Sequence, residues 1–131
     1  KQGDIRWVEL EYEQYDIILA GAVLHHLRDD EDWEKTFARL YQMLRPGGCL
    51  MISDLVTQDS PALRAYFWEQ YSNYLQEQGG PAYSKEVLAY IEQEDSPRSV
   101  TYQLELMKSV GFRQAEMLHK NLCFAAFGGM K

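Results

Sequence analysis

Residues 15–55, YDIILAGAVLHHLRDDEDWEKTFARLYQMLRPGGCLMISDL, leave few folds open to this chain. An apolar run at 17–20 passes through Gly21 into Ala22, Val23, Leu24, His25, His26 and Leu27. The run lacks polar alternation, which predicts a strand covered by helices on both faces. Asp29 or Asp30 can then cap a helix whose apolar positions Trp33, Phe37, Leu40 and Leu44 recur at spacings of four, three and four and so share one face. Pro46 stops that helix, and Gly47-Gly48 permit the positive φ of a sharp return. A second apolar run, 49–52, ends in Ser53 and Asp54. Strand, helix and strand in this order form a βαβ unit, the crossover that joins parallel strands.

Past Asp54, Ser60-Pro61 is a helix start, with the hydroxyl as cap and proline at the first helical position. The helix over 62–76 carries Tyr66, Phe67, Trp68, Tyr71 and Tyr74, and Gly79-Gly80-Pro81 ends it. Ser84 is expected to cap a second helix over 85–93, and Asp95-Ser96-Pro97 marks the next break. A helix over 98–110 stops at Gly111, with Phe112 as the apolar residue that often follows a glycine C-cap. Two strands, 114–119 and 122–127, are expected to form an antiparallel hairpin through a Lys120-Asn121 turn. The weak alternation at Trp7, Val8, Glu9 and Leu10 fits either a loop or an edge strand.

At 131 residues one domain is expected. The net charge of −7 argues against a broad nucleic-acid surface or a grip on anionic lipid. No apolar run approaches a membrane span and the start has no signal core, so a cytoplasmic location is expected. Cys49 and Cys123 each sit in an apolar run, where cysteine is usually a small buried hydrophobe rather than a disulfide or metal partner.

The pattern resembles the C-terminal half of a class I S-adenosylmethionine-dependent methyltransferase. YDIILAGAVLHHL resembles the fourth strand and the segment after it, LRPGGCLMISDL the turn into the fifth, and LELMKSVGFRQAEMLHKNLCFAAFGGMK the last helix and closing hairpin. Together they cover about 90 residues. The resemblance implies an α/β, partial Rossmann-like fold: strands four to seven of a three-layer α/β/α sheet, with the seventh strand antiparallel between the fifth and sixth. It also implies a helical substrate-cover insertion at 59–97. The glycine-rich turn after the first strand and the acidic residue ending the second, which hold the cofactor in this family, have no counterpart in residues 1–131. The chain is therefore expected to be the C-terminal part of a longer protein and inactive alone.

By the same resemblance the cofactor is S-adenosyl-L-methionine. Asp4 and Ile5 match the pair that meets adenine, the carboxylate accepting from the exocyclic amine; the other reading is an exposed terminal Asp. Ala20, Gly21 and Ala22 lie at the carboxyl end of the first strand, where ligands sit in open α/β sheets; tight strand-to-helix packing explains their small size equally well. His25 and His26 are adjacent, so on a helix they point about 100° apart and cannot form an i, i+4 zinc pair, and no metal is expected. The resemblance places one of them against the cofactor and acceptor, His26 on the cofactor side and His25 as a catalytic candidate; a capping or surface role is the alternative. Asp54 can orient or deprotonate an acceptor, or simply cap a turn. Tyr83 joins His25 and Asp54 as a candidate contact to the acceptor. Tyr66, Tyr71 and Tyr74 recur at helical spacings, divided between core packing and substrate binding.

The expected activity is methyl transfer by in-line displacement to a small-molecule or tRNA acceptor. A non-catalytic interaction module that keeps part of the fold is the rival expectation. In the family the strand at 16–20 pairs on one side with the first strand, so here it is expected to offer an unpaired apolar edge and drive homodimerisation. A nucleotide-sugar or nicotinamide Rossmann enzyme fits less well, for lack of a glycine fingerprint or a Tyr-x-x-x-Lys.

Overall fold

The computed structural model describes residues 1–131. In chain order it has β1 (Tyr15–Gly21), a 3-10 turn (Leu24–His26), α1 (Asp30–Met43), β2 (Leu44–Leu55), α2 (Pro61–Glu94), α3 (Val100–Val110), β3 (Arg113–Asn121) and β4 (Phe124–Met130). The strands form one sheet in the order β1-β2-β4-β3. β1 runs parallel to β2, and β4 runs antiparallel to both β2 and β3. The last strand is thus inserted between its two predecessors in space, as the resemblance implied for a seventh strand.

α1 forms where its capping and its apolar stripe agree. The Asp29 side chain accepts from the Asp32 N–H at 2.8 Å, closing the first turn. Trp33, Phe37 and Leu40 are buried and share a core with Leu50, Ile52 and Phe127 of the sheet and Met107 of α3. Each such side chain contributes about 1.5–3 kcal/mol by leaving water. The helix stops at Met43, so Leu44, expected on the helix stripe, instead opens β2 opposite Tyr15. Gly47, at φ 82°, makes the return into the strand.

α1 and α3 both pack on this one core, which corrects the expectation that β1 is covered on both faces. Ile17 and Leu19 are 60% and 77% exposed. Their periodicity is that of a strand between two helical layers, but residues 1–131 lay helices over only one side of β1. β1 also pairs only with β2, so its outer edge is unpaired. Trp7, Val8, Glu9 and Leu10 lie in turn and irregular chain rather than in a strand.

The insertion bends where expected and caps where it was not. Gly80, at φ 86° and ψ 174°, breaks α2 into two helical arms. Pro81 restarts the helix at once, so Ser84 lies inside the second arm instead of capping it. Its buried hydroxyl donates to the Ser72 carbonyl at 3.1 Å, holding the arms together. Tyr71 fixes the first arm to the sheet by packing edge-on against Phe124, ring centres 5.2 Å apart. No helix is long and apolar enough to cross a membrane.

α3 begins at Val100, two residues later than expected, because the Ser99 hydroxyl accepts from the Tyr102 N–H at 3.1 Å. It ends at Gly111 (φ 117°), after which Phe112 is buried as expected of a glycine-capped end. The hairpin turn is Leu122-Cys123, not Lys120-Asn121, which pairs Asn121 with Phe124. A long-range bond selects this register: the Val56 N–H donates to the Cys123 carbonyl at 2.8 Å, and Leu122 accepts φ 52° to allow it.

The sheet leaves no room at Gly128. A Cβ there collides with the Leu50 carbonyl and lies 2.8 Å from the Met51 sulfur, whereas one at Gly21 meets nothing within 4 Å. Gly128→Ala is therefore expected to cost about 1–3 kcal/mol in denaturant unfolding, and Gly21→Ala to stay within about 0.5 kcal/mol.

Candidate active site at the carboxyl ends of β1 and β2

The parallel pair brings Gly21 opposite Ser53, so both strands end on the same edge of the sheet. Ala22, at φ 50°, turns the chain away while its N–H donates to the Ser53 carbonyl at 2.8 Å. The 3-10 turn that follows is seated on Asp54. The Asp54 carboxylate accepts from the backbone N–H of Leu24 at 2.7 Å, His25 at 3.3 Å and Leu55 at 2.8 Å, and from Nδ1 of His25. Hydrogen bonds to a charged group contribute about 1.5–3 kcal/mol each. Four donors match the four lone-pair sites of a carboxylate. These donors occupy the Asp54 carboxylate, and through Nδ1 it orients the His25 ring.

A carboxylate only accepts, so Nδ1 of His25 donates to Asp54 and, in the neutral ring, Nε2 carries the lone pair. Nε2 lies 3.8 Å from the Asp95 carboxylate. Burial disfavours the charged ring, but the Asp54 hydrogen bond, the Asp54 charge and the Asp95 charge outweigh it and raise the His25 pKa above its ordinary value of 6.5.

Asp95 is the site residue that sequence reasoning missed. It caps the C-terminus of α2, and its side chain is only 3% exposed. Oδ1 accepts from His26 Nδ1 at 2.8 Å. The neighbouring Ser96 N–H donates to the His25 carbonyl at 2.8 Å. The residue stands 69 positions from His26, and only the Ser96-Pro97 break beside it hinted at a special backbone.

Asp95 and His26, hydrogen-bonded to each other, each line a separate concavity. A cleft of about 420 Å³ is lined by residues including Thr57, Arg64, Trp68, Glu92, Asp95 and Cys123. A pocket of about 270 Å³ is lined by Asp4, Ile5, Arg6, Val23 and His26, among others. Three of the six expected cofactor contacts, Asp4, Ile5 and His26, thus share one pocket. Asp4 is not simply a free terminal carboxylate. Arg6 donates to it at 2.7 Å from Nη2 and 2.9 Å from its backbone N–H, lowering its pKa to about 2. Ala20 is buried, but Gly21 faces open space, so tight packing is not the reason for glycine there.

The expected substrate contacts are placed differently. Tyr71 stacks on Tyr74 (6.4 Å) and Tyr66 leans on Phe67 (5.6 Å), and none of the three tyrosines lines the larger cleft; Trp68 does. Burial raises the Tyr71 phenol pKa. Tyr83 is 44% exposed beside Gly79 at the bend of α2, and no hydrogen bond joins it to His25 or Asp54.

Because the His25 pKa is raised on folding, its stabilising contribution is complete below the unfolded value and disappears as pH rises through the folded value. NMR titration is expected to place His25 above 6.5. Asp54→Asn should return it toward that value and flatten the decline in stability above it.

Known proteins resemble this chain in sequence and fold. A family model described as a methyltransferase domain matches residues 1–50. A carboxy-S-adenosyl-L-methionine synthase of Campylobacter hominis is 31% identical over 91 residues, covering 69% of this chain and 39% of the relative. Human N-acetylserotonin methyltransferase, solved with S-adenosylmethionine, superposes over 100% of this chain and 33% of its own, with TM-score 0.64 and 20% identity. The S-adenosylmethionine-dependent methyltransferase SibL covers 100% of this chain and 35% of its own, with TM-score 0.65 and 14% identity. Phosphoethanolamine N-methyltransferase 2 of Haemonchus contortus covers 88% and 21%, with TM-score 0.58 and 21% identity. The chain thus spans well under half the length of these relatives. Family model, curated relative and solved structures agree in one resemblance, and residues 1–131 have the fold of part of a class I S-adenosylmethionine-dependent methyltransferase domain.

Proposed function

We propose that this chain forms the C-terminal, acceptor-facing part of an enzyme that transfers a methyl group from S-adenosylmethionine to a small-molecule acceptor, with His25 as the residue that receives the acceptor's proton. The observation that carries the reading is the Asp54–His25 pair at the shared end of β1 and β2, with His25 Nε2 3.8 Å from Asp95, which lines a cleft of about 420 Å³. The pocket of Asp4, Ile5 and His26 fits the adenosine portion of the cofactor, and the open backbone at Gly21 fits its close approach. The cofactor supplies a methyl group already activated on a sulfonium.

The chain's own residues then have limited tasks. Asp54 fixes the His25 tautomer and leaves Nε2 to accept a proton, while Trp68 and Arg64 of the insertion orient the acceptor and shield it from water. Tyr66, Tyr71, Tyr74 and Tyr83 contribute by bracing the insertion or by closing on a bound acceptor. The net charge of −7 favours a small molecule over tRNA. The free thiols Cys49 and Cys123 suit a reducing cytosol. Alone, residues 1–131 are expected to be inactive.

A second reading, a non-catalytic interaction module, is favoured by one observation: the unpaired, apolar β1 edge with Ile17 and Leu19 exposed. In either reading the isolated chain pairs with a second copy through residues 16–20.

In the complete protein, His25→Ala is expected to lower methyl transfer from labelled S-adenosylmethionine by about 10²- to 10⁴-fold. The activity of the unaltered enzyme should rise with pH through a pKa above 6.5. An undiminished rate in the variant would remove His25 from the chemistry. For the isolated chain, sedimentation should show a concentration-dependent dimer that Leu19→Lys abolishes; a stable monomer at high concentration refutes the pairing.

A further inference from the structure

We propose that His25, His26 and Asp95 form a binding site for one divalent transition-metal ion, with zinc the natural occupant by ligand chemistry. Adjacent histidines cannot chelate as an i, i+4 helical pair, but the fold adds a third donor from the far end of α2. One ligand atom from each residue lies within 4.8 Å of the others. His26 Nδ1 is 2.8 Å and His25 Nε2 is 3.8 Å from the Asp95 oxygens. Donors about 2.0–2.1 Å from a tetrahedral ion stand about 3.3 Å apart, between those two separations.

Three further observations point to an ion. Asp54 bonds Nδ1 of His25, the carboxylate-to-histidine arrangement that orients a metal-ligating imidazole, and it leaves Nε2 directed toward Asp95. The Asp95 side chain is only 3% exposed, and its carboxylate receives a single hydrogen bond, from His26. A buried carboxylate with so little compensation favours an added cation. The donors are also held in advance of binding, because the Ser96 N–H to His25 carbonyl bond ties the two segments together beside the site. Two imidazoles and one carboxylate suit zinc and its neighbours better than calcium or magnesium, which prefer all-oxygen shells. His26, with its side chain 53% exposed, leaves a way in and an open coordination position.

The proposal does not rest on methyl transfer. An ion on His25 Nε2 occupies the lone pair that the acceptor's proton needs, so bound metal and catalysis by His25 exclude each other.

The test uses cobalt(II) as the probe, added to residues 1–131. One equivalent is expected to bind with the strong visible absorption of a four- or five-coordinate ion, and zinc should displace it. Asp54→Asn should weaken zinc affinity by about 10- to 100-fold. His26→Ala and Asp95→Asn should weaken it at least as much, while His119→Ala, on β3, changes nothing. His26→Ala also removes the hydrogen bond to Asp95, so circular dichroism of the variant must match that of the unaltered chain before its affinity is read. A cobalt spectrum that stays that of the hydrated ion overturns the site, as does an affinity unchanged in His26→Ala.

Discussion

The Asp54 carboxylate is the interaction on which the rest of the site depends. It sits buried at the end of β2 and gathers the Leu24, His25 and Leu55 backbone N–H groups and the His25 ring. The backbone amides of the 3-10 turn would otherwise lack partners, each at a cost of about 1–3 kcal/mol when buried. One side chain thus seats the turn, sets the direction of the histidine ring and ties β1 to β2 beyond their ladder. The parallel register is what allows this, since it ends both strands at the same level.

The insertion enters the site through the same turn. α2 is a bent two-armed helix whose only fully buried residues are Leu75 and Ser84, so little of its own packing fixes its position. Its place is set at its ends. Tyr71 meets Phe124 at one arm, and at the other Asp95 and Ser96 grip the histidine pair by side chain and backbone. Arg28 adds a bond to the Gln93 carbonyl at 3.4 Å. The residues that line the larger cleft come from both this insertion and the strand ends, so its shape depends on that grip.

Packing and polarity divide the molecule unequally. One face of the sheet holds a single core from Trp33 and Phe37 through Leu50, Ile52 and Phe127 to Met107. On the other face Ile17, Leu19, Met51, Phe124 and Met130 are exposed large apolar side chains. The strength of the core explains how four strands and two packed helices hold together. The open face leaves these side chains in water, uncovered by any helix of residues 1–131.

The local elements were legible in the sequence because local chemistry determines them. The α1 stripe, the glycine break at Gly80, the Gly111 cap with Phe112 behind it, and the hairpin each depend on residues a few positions apart. His25 and Asp54 were singled out because strand ends in such sheets carry sites, although their division of labour was not readable. What only the tertiary structure decided depends on contacts between distant residues. The Leu122-Cys123 turn follows from the bond between Val56 and Cys123, the inward place of Ser84 from Ser72, and the exposure of β1 from which face the helices choose. Asp95 joins the histidines across some seventy residues, and no periodicity or spacing encodes such a meeting, because it exists only once the insertion has folded back onto the end of the sheet.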